Sequence, residues 1–364
     1  MNPFIPSTLA SSWPPVVVGR SLELERVGDI LKADGDLLLT GVPGIGRRTL
    51  VRSAARQVGA RVVEIDCLRA TDYSRFLQLL GDAILATFSQ PMELSLVHTY
   101  LESHSLQLDT SNTGRAKLLI PSGLDDWLVF KRLLALPQVL AESMDCRVVL
   151  VFQNFPHIRS WDRSNKWEDY LRQKIQVQTR VSYAIIATMA QKWTEQTDMK
   201  TVFLAPVADA DLRSWLVTSM RQVELSLDQD AIQLVLDIVQ GHFGDALALS
   251  RRIWLEHRGK VSVQVRSHQV YRSSVSLIED LSVTFESLIL LLPSTQVRVL
   301  ECLALDPTDS PHANEYLKKH NLSRGGTLQG ALLSLEQKGL VYGPDRGYKI
   351  ALPMLGLWLR YRLG

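Results

Sequence analysis

From Ser21 to Lys32 apolar residues recur at helical spacing, with Leu22, Val27, Ile30 and Leu31 on one stripe. Ser21 is placed to cap this helix, and Glu23 and Glu25 sit in its first turn. The period then changes. Asp36-Leu-Leu-Leu-Thr40 is short, apolar and closed by glycine, the pattern of a strand buried on both faces. Gly41-Val-Pro-Gly-Ile-Gly46 is too rich in glycine for helix or strand, and Leu50, Val51 and Ala54 restore a helical stripe over Arg47 to Val58. Arg61-Val-Val-Glu-Ile-Asp66 is a second strand. Strand, glycine turn, helix and strand make one βαβ unit, whose crossover is right-handed.

Residues 72–145 read as mostly helical, with a polar interruption at Ser103–Arg115 that predicts a loop. Arg147-Val-Val-Leu-Val-Phe152 and Val181-Ser-Tyr-Ala-Ile-Ile-Ala-Thr188 are two further strands. Four buried strands separated by helices predict a doubly wound α/β domain. From Asp209 to about Arg258 the pattern is helical only, and 260–292 continues as a helical connector. The last stretch has another rhythm. Helices at Thr295–Leu305, His312–His320 and Thr327–Gly339 precede two short strands, Leu340–Tyr342 and Tyr348–Ile350, joined by a Gly-Pro-Asp-Arg-Gly turn. Three helices and a hairpin are the layout of a winged helix-turn-helix, with Leu328, Leu332, Leu335 and Leu340 in its core. The expected division is an extended lead-in at 1–18, an α/β domain at 19–205, a helical lid and connector at 206–292 and a winged helix at 293–364.

Composition narrows the class. The chain has 364 residues, 46% hydrophobic and 21% charged, which is globular and long enough for two or three domains. A formal net charge of +2 argues against binding nucleic acid through bulk charge. Cys67, Cys146 and Cys302 lie far apart and share no ligand spacing, so neither a disulfide framework nor a zinc finger is expected. The N-terminus lacks the pattern of a signal peptide, and the longest apolar runs, such as Leu288 to Pro293, are too short to span a membrane. The expectation is a cytoplasmic protein with no membrane partner.

The glycine turn stands where a phosphate-binding loop belongs. Glycines let successive backbone N–H groups converge on phosphate oxygens, and the following helix adds its positive end. The full motif ends Gly-Lys-Ser/Thr, whereas here Arg47 and Arg48 follow Gly46, and Thr49 comes one residue late. That shift turns its hydroxyl about 100° around the helix. The strand at 147–152 ends in Gln153 and Asn154, where a Mg2+ site needs an Asp and water activation a neighbouring carboxylate. Neutral amides neither offset a metal's charge nor accept a proton, so hydrolysis and Mg2+ binding are not expected. Three outcomes stay open for the loop: phosphate binding with Arg47 and Arg48 as point contacts, no ligand, or arginines set against carboxylates.

In its order of features the chain resembles an AAA+/STAND-type P-loop ATPase, close in layout to archaeal replication initiators and transposition regulators. Val17-Val-Gly19-Arg20 is similar to the family's box beside the adenine, and Asn2-Pro3-Phe4 to the lead-in before it. Gly41, Val42, Pro43, Gly44, Ile45, Gly46, Arg47, Arg48 and Thr49 take the place of Walker A, and Val148–Asn154 that of Walker B. Thr188 matches the first sensor position. Gly241-His242-Phe-Gly-Asp245 matches the second sensor segment, with Phe243 in place of a proline, and Tyr348 to Arg360 resembles the family's winged-helix end. The resemblance implies this fold, ATP or ADP as a possible ligand, assembly with other AAA+ subunits and work linked to DNA or a DNA-bound protein complex. With the catalytic positions altered, it implies a non-hydrolysing regulator or adaptor. The alternatives are an ATPase completed by a partner subunit and a purely structural scaffold.

For DNA, the recognition helix would begin near Ser323-Arg-Gly-Gly-Thr327, presenting Arg324, Thr327 and Gln329. Lys318 and Lys319 precede it, and Arg346 and Lys349 stand on the wing. Residues 294–364 hold nine Lys and Arg against six Asp and Glu, a weak positive bias. Arg159, Arg163, Arg172 and Arg180 lie where such ATPases place arginine fingers, or else form a solvated helix surface. Trp161, Trp167, Trp193 and Trp254 are expected to pack between domains. Scattered histidines give no metal-site spacing, and there is no nucleophile motif.

Overall fold

The computed structural model describes residues 17–109, 116–121, 123–175, 177–189, 197–258 and 263–364. The Asn2-Pro3-Phe4 segment and Trp193 lie outside the described residues. The chain forms two compact units, one of Leu22–Thr40 and Arg47–Phe203, the other of residues 17–21, Gly41–Gly46 and Leu204–Gly364. Their hydrophobic cores share no residue.

The α/β unit begins with helix α1 (Ser21–Lys32), which includes Ser21 as a helical residue. Strand β1 (Leu37–Thr40), helix α2 (Arg47–Gln57) and strand β2 (Arg61–Asp66) follow as the pattern predicts. Helices α3 (Tyr73–Thr87) and α4 (Pro91–Ser103) come next. The expected loop at Ser103–Arg115 contains more order: β3 (Gln107–Asp109) pairs antiparallel with β4 (Lys117–Leu119). Helix α5 (Asp126–Ser143), β5 (Val148–Gln153), α6 (Lys166–Ile175) and β6 (Val181–Ala187) complete the expected elements.

The sheet has five strands, not four. Its order is β2-β5-β6-β1-β7, all parallel, with β7 at Lys200–Phe203. Of the four β7 residues only Val202 is buried, so this edge strand shows no apolar run. By contrast β1 and β6 are buried throughout, as central parallel strands must be. Because β6 lies between β1 and β5, the β5 tip is one strand removed from the end of β1. The core holds Phe76, Phe130, Phe152, Trp161 and Trp167, and the Phe130 and Trp167 rings stack at 4.4 Å. Trp161 and Trp167 therefore build the interior of this unit, because their rings complete a cluster that Phe76 and Phe130 begin. Trp254 is half-buried against the second unit's own core.

That second unit carries helices α7 (Asp209–Gln222), α8 (Gln229–Val239) and α9 (Phe243–His257), then α10 (Ser267–Leu290). Between them β8 (Leu225–Leu227) pairs parallel with β9 (Val263–Val265), a short ladder inside a stretch expected to be wholly helical. Next come α11 (Ser294–Leu305), α12 (Asn314–His320) and α13 (Gly326–Gln337), the three helices of the expected winged helix. Its hairpin is reduced to one bridge, Val341 to Ile350, around a 3-10 turn at Pro344–Arg346. A last helix, α14 (Pro353–Leu363), was not foreseen; proline opens it, and Met354, Leu355, Trp358 and Leu359 are buried. Leu212, Leu249, Leu300, Leu335 and Leu355 belong to one core, so lid and winged-helix elements bury each other. Leu328, Leu332 and Leu340 join it as expected. Among the described residues no helix is long and apolar enough to cross a membrane.

Candidate functional site

The glycine loop belongs to the second unit and is held there by the lid. Gly41, Gly44 and Gly46 have φ of 148°, 84° and 103°, angles that favour glycine. His242 caps α9, its Nδ1 accepting the Asp245 N–H at 3.1 Å, while Nε2 donates to the Pro43 carbonyl at 2.7 Å. The Gly244 N–H donates to the Gly44 carbonyl at 3.1 Å. A Cβ on Gly44 would stand 2.7 Å from His242 Cε1, so the contact admits only glycine. Val42 and Ile45 are buried beneath the loop. Its carbonyl side is thus bonded to the lid, whereas the Gly44 and Gly46 N–H groups meet no backbone carbonyl among the described residues.

His242 is buried, which by itself lowers its pKa, but the bond and charge of Asp245, with the Pro43 carbonyl, raise it above the ordinary value. Asp245 Oδ1 lies 3.1 Å from Nδ1, ready to pair with the imidazolium, and its Oδ2 accepts the Met354 N–H at the start of α14. Residues of the box beside the adenine and of the second sensor segment meet residues 205–211. Arg20 is buried and its guanidinium donates to the Ala205 carbonyl. Gly19, at φ 60°, approaches Asp211 so closely that a Cβ would lie 2.8 Å from it. Gly241, at φ 75°, accepts from the Val207 N–H at 2.9 Å.

In the α/β unit Arg48 and Gln153 meet on one carboxylate. Glu64 on β2 receives Arg48 twice, Nε at 2.7 Å and Nη2 at 3.0 Å, and Arg52 at 2.9 Å. The Gln153 amide donates to the same carboxylate. Asn154, at φ 52°, donates to Asp66 Oδ1 at 2.9 Å. The bond to Glu64 raises the Arg48 pKa against its partial burial. Arg47 opens α2 and reaches the other way, Nη1 donating at 2.8 Å to the carbonyl of Ala187, next to Thr188. Burial lowers its pKa to about 10, which leaves it charged at neutral pH. Thr49 and Thr188 are half-buried. Arg48 and Arg52 thus stand against Glu64 and Asp66, two charges of each sign, and both carboxylates already hold hydrogen-bond donors.

Sequence reasoning missed Glu64, although an acid in an otherwise apolar strand was a visible anomaly. It also missed Asp36, whose Oδ1 accepts the Tyr183 N–H at 2.7 Å. Burial raises Asp36 to about 7 even though that bond lowers it. The arginines after β5 are engaged within the unit: Arg159 pairs with Glu168, Arg172 with Asp169 and Arg180 with Asp145, while Arg163 is exposed.

On the winged helix, Arg324, Thr327 and Gln329 are exposed around the start of α13, with Lys318 exposed before them. Lys319 and His320 both bond Asp306 at 2.7 Å, and their bonds hold its carboxyl below the usual range. Helix α13 itself carries no Lys or Arg. Arg346 and Lys349, on the wing, line a cleft shared with His242.

A family model described as a probable winged helix domain matches residues 283–361. No protein of curated function matches the chain in sequence. Among solved structures, a Walker-type ATPase of Pyrococcus abyssi is similar with a TM-score of 0.66 and 16% identity, covering 94% of this chain and 96% of that one. The Orc1 protein of Aeropyrum pernix in complex with DNA gives 0.51 and 16%, covering 96% of each chain. The ADP form of Aeropyrum pernix Orc2 gives 0.56 and 12%, again covering 96% of each. The chain therefore has a parallel α/β core like the Orc1/Cdc6 AAA+ fold, with a helical C-terminal region and a winged helix domain at residues 283–361.

Proposed function

We propose that this chain is a non-hydrolysing AAA+-like regulator or adaptor that works on DNA or a DNA-bound protein complex, with ATP or ADP as a structural ligand of the glycine loop. One observation carries the first part: Arg48 and Gln153, at the Walker A hydroxyl and Walker B acid positions, both bond Glu64. Side chains that a hydrolytic site would direct at Mg2+ and water are instead both held by Glu64, an arrangement in which the carboxylates already hold donors. It therefore argues against Mg2+, and no step is routed through a metal. The open amides of Gly44 and Gly46 favour phosphate, with Arg47 as the second candidate contact. The exposed Lys318, Arg324, Thr327 and Gln329 favour a nucleic-acid surface, as does the fold shared with an Orc1 protein solved on DNA.

The test is equilibrium binding of labelled ATP and ADP to the full chain, with and without Mg2+, with phosphate release read from the same sample. Binding with little dependence on Mg2+ and no release is expected. Robust Mg2+-dependent turnover that Arg47→Ala abolishes would overturn the proposal, and absence of any binding would leave the α/β unit a scaffold.

A further inference from the structure

Three lysines of the α/β unit gather around two aromatic rings, away from the residues assigned above. On α5, Trp127 and Lys131 stand four residues apart, and on α6, Lys166, Tyr170 and Lys174 recur every four, so each set shares one helix face. The two faces adjoin, with the Trp127 and Tyr170 ring centroids 5.0 Å apart and their planes at 68°. Lys166 Nζ stands 4.3 Å from the Trp127 centroid and Lys131 Nζ 5.2 Å from it. Lys131 also lies 5.9 Å, and Lys174 5.5 Å, from the Tyr170 centroid. The rings are anchored from below. Trp127 leans on buried Phe130 at 5.8 Å and buried Trp167 at 5.9 Å, and Tyr170 on Phe130 at 5.7 Å. Each is half-buried, one flank in the core and the other in water.

The surrounding acids do not neutralise this group. Among the described residues no carboxylate makes an ion pair with Lys131, Lys166 or Lys174. Glu168 pairs with Arg159 and Asp169 with Arg172. At the start of α5, Asp125 is committed to the Trp127 N–H at 3.1 Å, which leaves Asp126 as the one further acid beside the rings. Ammonium groups drawn to the same rings repel one another, and a polyanion relieves that repulsion.

We infer that this face of α5 and α6 binds single-stranded nucleic acid, bases stacking on Trp127 and Tyr170 and phosphates meeting Lys131, Lys166 and Lys174. Stacking requires a lysine to leave its ring. An exposed cation–π contact is worth roughly two- to fivefold in an equilibrium constant, whereas a base stacked on an aromatic side chain is worth roughly fivefold to more than a hundredfold. The exchange therefore favours the base, and the displaced ammonium remains within reach of a phosphate. A duplex cannot use the rings, because its bases are already stacked on each other. An acidic peptide would satisfy the lysines but leave the ring faces uncovered. This surface is independent of nucleotide in the glycine loop and of the winged helix.

The test is fluorescence anisotropy of a short labelled oligothymidylate with the full chain, carrying Lys318→Ala and Arg324→Ala so that those winged-helix cations do not contribute. Binding is expected with a log–log salt slope of about −2, three phosphate contacts at roughly 0.7 each for a single strand. Lys131→Gln, Lys166→Gln and Lys174→Gln together should remove most of that slope. Trp127→Leu keeps every charge and should weaken binding at least about fivefold, the loss of one stacked base. Tyr170→Leu makes the same test should the first variant melt low. Any of four results would overturn the inference: no binding, an unchanged salt slope in the triple lysine variant, unchanged affinity in both ring variants, or displacement of the oligothymidylate by polyglutamate or a duplex at lower concentration than by unlabelled oligothymidylate. Since no nucleoside triphosphate is present, the result is separate from the test of binding and hydrolysis at the loop.

Discussion

Glu64 accepts from Arg48, Arg52 and Gln153, and its side chain is only 9% exposed. Removing it strands donors of three side chains at the mouth of the α/β sheet. Because the Arg48 and Arg52 side chains are 56% and 54% exposed and water replaces the lost partner, Glu64→Ala is expected to cost only about 1 kcal/mol and to lower the melting temperature by a few degrees. A thermal melt of parent and variant checks this. His242 is the second decisive residue, and its contribution is readable through pH. Its folded pKa is raised above the ordinary 6.5, so the imidazolium's contribution is fully present below about 6.5 and is lost as pH rises through the folded value. The groups facing it are Asp245 on its own helix, the Pro43 carbonyl on the loop, and Arg346 and Lys349 across the cleft. A melting series from pH 6 to 9 should show a decline in the parent that His242→Gln flattens. A steeper decline in the variant would count against the pairing.

Elements show which features a local pattern reveals. The five strands and their helices form by burial, and the central ones announce themselves as apolar runs because both faces are covered. The edge strand β7 does not, since Lys200, Thr201 and Phe203 face outward and only Val202 is buried. Asp36 illustrates a constraint that exists only between elements: it precedes β1 yet bonds the Tyr183 N–H in β6. Its carboxyl, raised to about 7, favours the fold when protonated. Stability from this group is therefore greatest below pH about 4 and falls until about pH 7. Asp36→Asn keeps an acceptor without the charge, so above pH 7 it should melt higher than the parent by a few degrees, and equal melting there would refute this. Helix α13 makes a different prediction. It has no basic residue, and Lys319 is paired with Asp306, so Lys318 and Arg324 are the exposed cations around its start. Duplex DNA binding through this surface should show a log–log salt slope of only about −2, two phosphate contacts at roughly 0.9 each. A slope several times steeper would place the DNA elsewhere.

Over the whole molecule, two cores with no residue in common set the energetics. Leu150 and Leu335 are fully buried, one in each. Leu150→Ala and Leu335→Ala should each cost about 2–5 kcal/mol. Hydrogen exchange should report the loss of protection in the core that carries the substitution, because opening follows cooperative units. Uniform loss across both cores would mean one cooperative unit. The amino-acid sequence by itself determined the strands β1, β2, β5 and β6, the glycine loop and the three helices of the winged helix. Each of these is written in neighbouring residues, through periodicity or through a contiguous motif. Only the tertiary structure decided that Arg48 meets Glu64, that His242 closes on Pro43, that Trp161 and Trp167 are interior, and that Arg346 and Lys349 line a cleft with the lid turn. Those contacts join side chains far apart along the chain, and periodicity carries no information about which distant partner a buried or charged group will meet.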